Sequence, residues 1–454
     1  MAKTFQRRSK CKLLITKNGY LLNYSKKNLF SLEFLNLINT WCPGCKLFVL
    51  LTAVFSIGYC CSQAEGAEFS LKPSITLREE YDDNIFLTKD NRVDDYITRI
   101  LPSLSIDHKT PSWDLSTAYT LDWRYYFRQK EGRDSHTLDL TSQVRVIKNF
   151  LYLDIADTYA SVVLNPRRPS TNTNLTVNRT DSNNATISPY IKYQISPVMS
   201  LSTGYRYLNV WYRDKQGINR QMHTGFATVG YTVNPKLNTF LSADYTWDRP
   251  DSNTSVDVNN NQTSISFGAT YTLSPQTNVS GTIGYRWITF SDGFKKHMPF
   301  YSAALSHHFS GTGLIELRGS STITADPQFG VFESKTGQLT VKYGQLFIVN
   351  GSIFYSRNKY LETDRKDDTF GLTAGIEYKP KPRLTYRASG RYENDKFFPE
   401  DTKREIYNAY GEIAYLLTSK ATLSFSYTYT RSISQITIDD YWDNVAAVQV
   451  TITF

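Results

Sequence analysis

The chain has 454 residues, 40% of them apolar, with 32 Tyr, 25 Phe, 24 Gly and a mean hydropathy of −0.40. Aromatic residues at 14% exclude a disordered chain, which lacks the apolar surface to form a core. Only one segment, near the N-terminus, approaches the length of a spanning helix, which excludes a helical membrane protein. Of the formal charge of +9, +8 falls in residues 1–64, where nine Lys and Arg face one acid, Glu33. The remainder is nearly neutral and lacks the basic footprint of a nucleic-acid binder, so no nucleic-acid partner is expected.

The N-terminal segment reads as a leader. Cys11, Cys42, Cys45, Cys60 and Cys61 all precede residue 62 and no cysteine follows, as suits a chain exported through an oxidising compartment. Cys42-Pro-Gly-Cys45 has the spacing of a redox or metal motif, but no βαβ pattern surrounds it. Lys46 opens an apolar run over 47–59 of signal-peptide length, and Ser62-Gln63-Ala64 places small residues at −3 and −1. Residues 1–64 are therefore expected to be a leader with signal peptide, and 65–454 the mature body.

From Phe69 onward the dominant period is two, which places alternate side chains on opposite faces of a strand. The first strands are expected at about 69–80 and 95–107, flanking a loop at 81–94. Further along, Val279, Ile283, Tyr285 and Trp287 alternate with Ser280, Thr282 and Arg286. Phe370, Leu372, Ile376 and Tyr378 alternate with Gly371, Thr373 and Glu377. Leu423, Phe425, Tyr427 and Tyr429 alternate with Ser424, Ser426 and Thr428. Tight connections near 148–150, 196–197, 234–236, 274–276, 310–312, 379–382 and 418–420 alternate with longer polar ones. The longer ones fall at 127–135, 164–183, 213–220, 249–261, 291–298, 325–333, 361–368, 395–404 and 432–440. Strict short–long alternation belongs to a transmembrane barrel, whose periplasmic turns are short and outer loops long. The fold class expected is all-β: an antiparallel up-and-down transmembrane β-barrel of about 20 strands (18–20), closed because lipid leaves no backbone group unpaired.

Trp123, Trp211, Trp247, Trp287 and Trp442 border the long connections, and Tyr125, Tyr126, Phe127, Tyr212, Phe290 and Tyr360 join them as an expected interfacial girdle. On the polar phase, Arg206, Asp244, Arg286, Glu377, Arg387, Arg391 and Glu412 are the candidate lumen-facing residues, where charge is tolerated. Their mixed signs predict weak ion selectivity. Residues 164–183, with Arg167-Arg168, form the longest connection and read either as an exposed loop or as one folded inward as a constriction. The six His residues show no Ser or Asp partner by spacing, and His307 and His308 point to opposite faces. No catalytic residue, cofactor or metal site is expected, and the chain is not read as an enzyme. The acidic doublets Asp82-Asp83, Asp94-Asp95, Asp367-Asp368 and Asp439-Asp440 read as solvated charge in outer loops, a setting that can also bind lipopolysaccharide-bridging cations.

The segment Pro73–Thr88, with Tyr81-Asp82-Asp83-Asn84-Ile85 at its heart, and the following Leu101-Pro102-Ser103-Leu104 strand resemble the start of a known family. These are the outer-membrane β-barrel proteins associated with exopolysaccharide and PEP-CTERM/exosortase loci of Gram-negative bacteria. The closing strand Val448–Phe454 resembles the C-terminal strand that outer-membrane assembly machinery reads, with Phe454 as its signal. The resemblance implies a multi-pass protein of the bacterial outer membrane. Its implied partners are membrane lipid, lipopolysaccharide, the assembly machinery and polysaccharide. It also implies a passive pore or secretion-associated component linked to exopolysaccharide export or surface display. The alternatives are a general porin for small solutes and a structural or adhesive barrel with a closed lumen. An export pore predicts lumen aromatics on successive strands, a general porin an inward loop with opposed charges, and a structural barrel a blocked lumen.

Overall fold

The computed structural model describes residues 67–171, 174–251 and 258–454. The expected leader and its apolar run lie outside the described residues. The body consists of twenty strands and one short 3-10 turn, Thr437–Asp439. The first half comprises β1 (Glu68–Asp82), β2 (Asp95–Lys109), β3 (Trp113–Tyr126), β4 (Glu131–Ile147) and β5 (Leu151–Val163), then β6 (Arg179–Ser196), β7 (Met199–Tyr212), β8 (Asn219–Asn234), β9 (Leu237–Asp251) and β10 (Asn260–Ser274). The second half comprises β11 (Thr277–Phe290), β12 (Lys295–Phe309), β13 (Gly313–Asp326), β14 (Gly330–Tyr343) and β15 (Phe347–Tyr360), then β16 (Lys366–Lys381), β17 (Leu384–Phe398), β18 (Thr402–Thr418), β19 (Ala421–Ser434) and β20 (Tyr441–Thr453).

Each strand pairs antiparallel with its sequence neighbours, and β1 pairs with β20 from Ser74↔Thr453 to Asp82↔Val445, which closes the sheet. Closure is what the bilayer demands, because an open edge in hydrocarbon would leave a row of amides without partners. The strands run 13 to 18 residues, whereas about 9–11 suffice to cross. The excess lies at the outer end and shortens the connections read from sequence: 127–135, 291–298 and 325–333 reduce to 127–130, 291–294 and 327–329. Polar residues there continue the backbone ladder above the membrane instead of leaving it. Two further tight turns, 110–112 and 344–346, complete the short set.

Phase along the strands sorts the side chains. Leu77, Trp123, Leu241, Ile283, Ile353 and Phe425 share the exposed, outward face. On the opposite face, three phenylalanines lie flat across a directly paired glycine: Phe240 on Gly268, Phe300 on Gly284 and Phe354 on Gly371. A Cβ at any of these glycines would collide with the ring.

The girdle divides by the same rule. Trp123, Trp211, Trp247 and Trp287 are exposed on the outward face. Tyr126, Phe290 and Tyr360, which sequence proximity had placed beside them, are instead buried, and Tyr212 sits on the inward phase. Consecutive residues of a strand cannot both face lipid, so Tyr126 turns inward while Phe127 stays exposed. Tyr126 joins Ile85 and Ile97 in a small buried cluster capped by Val93. Buried apolar residues thus gather at the outer end, where the β1–β2 connection folds into the barrel mouth.

Candidate pore constriction

The connection between β5 and β6 does not stand away from the barrel. Its described residues reach the far wall. Arg167 donates from Nη2 and Nε to Asp367 on β16 at 2.5 and 3.0 Å, from Nη1 to Glu400 at 2.8 Å, and from Nη2 to the Phe398 carbonyl at 2.9 Å. Its guanidinium also lies 5.0 Å from the Phe397 ring centroid. In return Arg404 on β18 donates to the carbonyls of Pro166 and Arg167. Tyr441 on β20 donates to the Ser170 carbonyl at 3.3 Å, and Asn174 donates to the Ile85 carbonyl at 2.6 Å.

A circular barrel of this strand number measures about 40 Å across its backbone. Four extended residues beyond β5 and the two side chains together reach no more than about 30 Å, so the rim is drawn in from a circle where this strap crosses it.

The strap itself is built from local turn chemistry. Asn165 Oδ1 accepts the Arg167 amide, Asn178 donates to the Asn165 and Arg168 carbonyls, and Asn174 Oδ1 accepts the Thr176 amide. Asn side chains that bind their own backbone hold an ordered loop where no ladder exists. Burial opposes the charge on Arg167, but its bonds to Asp367 and Glu400 outweigh this and push its pKa up. A bond from its own backbone amide, together with the Arg167 guanidinium, holds Glu400 below the usual carboxylate range. Asp367 is shared, since Arg365 also donates to it at 2.8 and 3.1 Å. A second contact crosses the mouth nearby: the Ile218 amide donates to the Pro327 carbonyl at 2.7 Å, and Gln328 donates to Gln216.

Below the strap, many inward charges are closed into pairs along and across the strands. Arg78, Glu80, Arg99, Asp122 and Arg124 form one such chain over β1–β3. Register places all seven candidate lumen residues on the phase opposite the exposed aromatics. Arg387 binds both Glu377 at 2.9 Å and Glu412 at 2.8 Å, and Arg391 binds Glu393. Arg206, Arg286 and Arg391 each lie over a phenylalanine ring, Phe226, Phe300 and Phe354. Asp244 accepts from Ser264, which in turn accepts from Arg286. The wall from β7 to β11, with β13, encloses a cavity of about 730 Å³ lined by Arg206, Asp244 and Arg286.

The acidic doublets are not solvated loop charge. Asp82, Asp95 and Asp367 are buried, and Asp439 and Asp440 are packed beneath the strap beside Arg168 and Arg431. A doublet on a strand must send one carboxylate to each face, and the inward one is covered by the loops. At the closing seam the carboxylates of Asp82, Asp83 and Asp443 come within 4.8 Å of one another. Arg92, Asn444 and the Asn84 amide partner Asp83 and Asp82. Nothing local in the sequence brings residue 443 to residue 82. Asn84 is fully buried and donates to the carbonyls of Thr88 at 2.8 Å and Trp442 at 2.7 Å, while Ile85 enters the buried cluster. Tyr81 faces outward and donates to Asp94 at 3.0 Å. The Tyr81–Ile85 block thus pins the first loop to the last strand. Phe454 is exposed, and its amide donates to the Pro73 carbonyl.

The model of the family described as "Putative beta-barrel porin 2" matches residues 65–395 and 374–454. The chain belongs to that family. As a member of a porin family with a closed twenty-stranded barrel, it is an outer-membrane, multi-strand protein. Comparison with curated proteins finds no match. Among solved structures, this chain is similar to the FrpB iron transporter of Neisseria meningitidis, with 9% identity over 84% of this chain and 81% of that one at a TM-score of 0.46. A ferric enterobactin receptor (PfeA) mutant of Pseudomonas aeruginosa gives 11% identity over 86% and 81% at 0.48. OmpT of Vibrio cholerae lacking its loop L8 gives 8% over 86% and 100% at 0.35. These likenesses concern barrel architecture alone.

Proposed function

We propose that this porin-family barrel is a passive, non-enzymatic outer-membrane channel for small hydrophilic solutes, narrowed at its outer mouth by the strap formed by residues 164–171 and 174–178. The observation that carries this reading is the anchoring of Arg167 to Asp367, Glu400 and Phe398 across the mouth. In this reading the strap, lined by opposed charges, passes small solutes and blocks a chain of larger cross-section. The self-paired lumen charges support weak ion selectivity, since closed pairs project little net field. In this reading the outward apolar face meets lipid and lipopolysaccharide, and Phe454 engages the assembly machinery.

A role linked to exopolysaccharide export or surface display is the second reading, favoured by the Pro73–Ile106 resemblance. It requires the strap to move aside. Planar-bilayer conductance of the protein purified from outer membranes tests both. Discrete steps with exclusion of long dextrans support the small-solute channel, and free passage of long dextrans supports export. Silence from folded protein overturns both.

A further inference from the structure

We propose that the β7–β11 wall of the lumen carries a binding site for a carboxylate-bearing sugar chain, a short oligouronate, with one carboxylate held by Arg206 and another by Arg286 four strands along. The inference deepens the channel reading, on which access to the site rests. Among the described residues, the other inward-phase arginines each have a carboxylate within salt-bridge distance, as Arg78, Arg99, Arg220, Arg318, Arg387 and Arg404 illustrate. Arg206 and Arg286 have none. Both are oriented instead by ring stacking, at 5.4 Å over Phe226 and 5.0 Å over Phe300. Arg286 donates from Nε to Ser264 at 3.1 Å, which leaves its terminal nitrogens for a ligand. An arginine left unpaired beside a cavity is a preorganised fork for a planar carboxylate.

The remaining lining gives the rest of the ligand. Thr224 and Thr246 pair through their hydroxyls at 2.8 Å, as do Thr228 and Ser242, and each pair retains lone pairs for sugar hydroxyls. Asp244 lines the same cavity and accepts from Ser264 at 2.9 Å. A carboxylate there accepts from a sugar hydroxyl and repels charge concentrated on one small group, which favours a uronate chain, with one carboxylate per ring and free hydroxyls, over phosphate dianion. The volume of about 730 Å³ admits a short oligosaccharide.

The test is current block of the full protein, purified from outer membranes, by trigalacturonate, maltotriose and inorganic phosphate. Trigalacturonate is expected to block at least about tenfold more tightly than maltotriose. Arg206→Gln and Arg286→Gln should each weaken its block about tenfold while moving that of maltotriose little. Asp244→Asn should tighten the uronate and admit phosphate. Folding of each variant is checked by its heat-modifiable gel mobility. Equal block by the two sugars, unchanged block in both arginine variants, or phosphate matching the uronate in wild type would overturn the proposal. A conducting protein without uronate-specific block sinks this inference and leaves the channel intact. If folded protein does not conduct, the channel reading fails, and calorimetric titration of the detergent-solubilised protein with trigalacturonate decides the site alone.

Discussion

Arg167→Ala removes the strap's main anchor without orphaning its partner. Asp367 loses both bonds to Oδ1 but keeps both from Arg365 to Oδ2, so its charge stays paired and the barrel should remain folded. What is lost is two bonds onto Asp367 Oδ1, a bond to the Phe398 carbonyl, and stacking on Phe397. Charge-assisted bonds of this burial contribute roughly 1.5–3 kcal/mol. The bond to Glu400 adds little, because that carboxylate is more than half exposed. A total of about 3 kcal/mol shifts the strap's closed-to-open ratio by roughly 100-fold. Single-channel recording should then show a larger main conductance or frequent excursions to one, and liposome-swelling assays should admit larger sugars. Conductance and size limit both unchanged in a folded variant would refute the strap as the constriction.

Three further outcomes are expected. Asn84→Ala breaks bonds to Thr88 and Trp442 at a fully buried position and should cost about 3 kcal/mol; a lowered heat-modifiability midpoint checks it, and an unshifted one refutes the seam's role. Burial outweighs the attraction of Arg168 and Arg404 and holds Asp439 above the usual carboxylate range. Its favourable contribution to loop packing is therefore present below its unfolded pKa and lost as pH rises through the folded one. Acidification from neutral should lengthen closed dwell times, and Asp439→Asn should reduce that dependence; an identical profile in the variant would refute the assignment. Gly371→Ala should displace the Phe354 ring from the wall into the lumen, which single-channel conductance would register as a decrease.

The barrel was legible because its signal is local and repeated. Each strand declares its two faces by alternation, and each hairpin its end by turn length, so about twenty strands and the first two strand positions could be read directly. The site was far less legible. Tyr126 and Tyr360 lie at strand ends, as girdle residues do, but their phase turns them inward, and proximity to an end says nothing of phase. The acidic doublets looked solvated because covering them takes loops from elsewhere in the ring. Arg167 and Asp367 stand 200 residues apart, and no spacing rule connects them. The paired asparagines Asn165 and Asn178 were the available hint that the strap is an ordered loop.

The glycine-backed phenylalanines of the inner wall have a consequence for how the bore can change. A ring that occupies the space of a missing side chain adds apolar cover without protruding into water, so these sites behave as flush tiles. Arg286 rests on one of them and Arg391 on another. Any side chain in place of Gly284 or Gly371 would tip the tile and swing its arginine with it. Calibre and charge placement would shift together in a single substitution. Divergence of selectivity in this wall is therefore expected to run through its glycines before its charged residues.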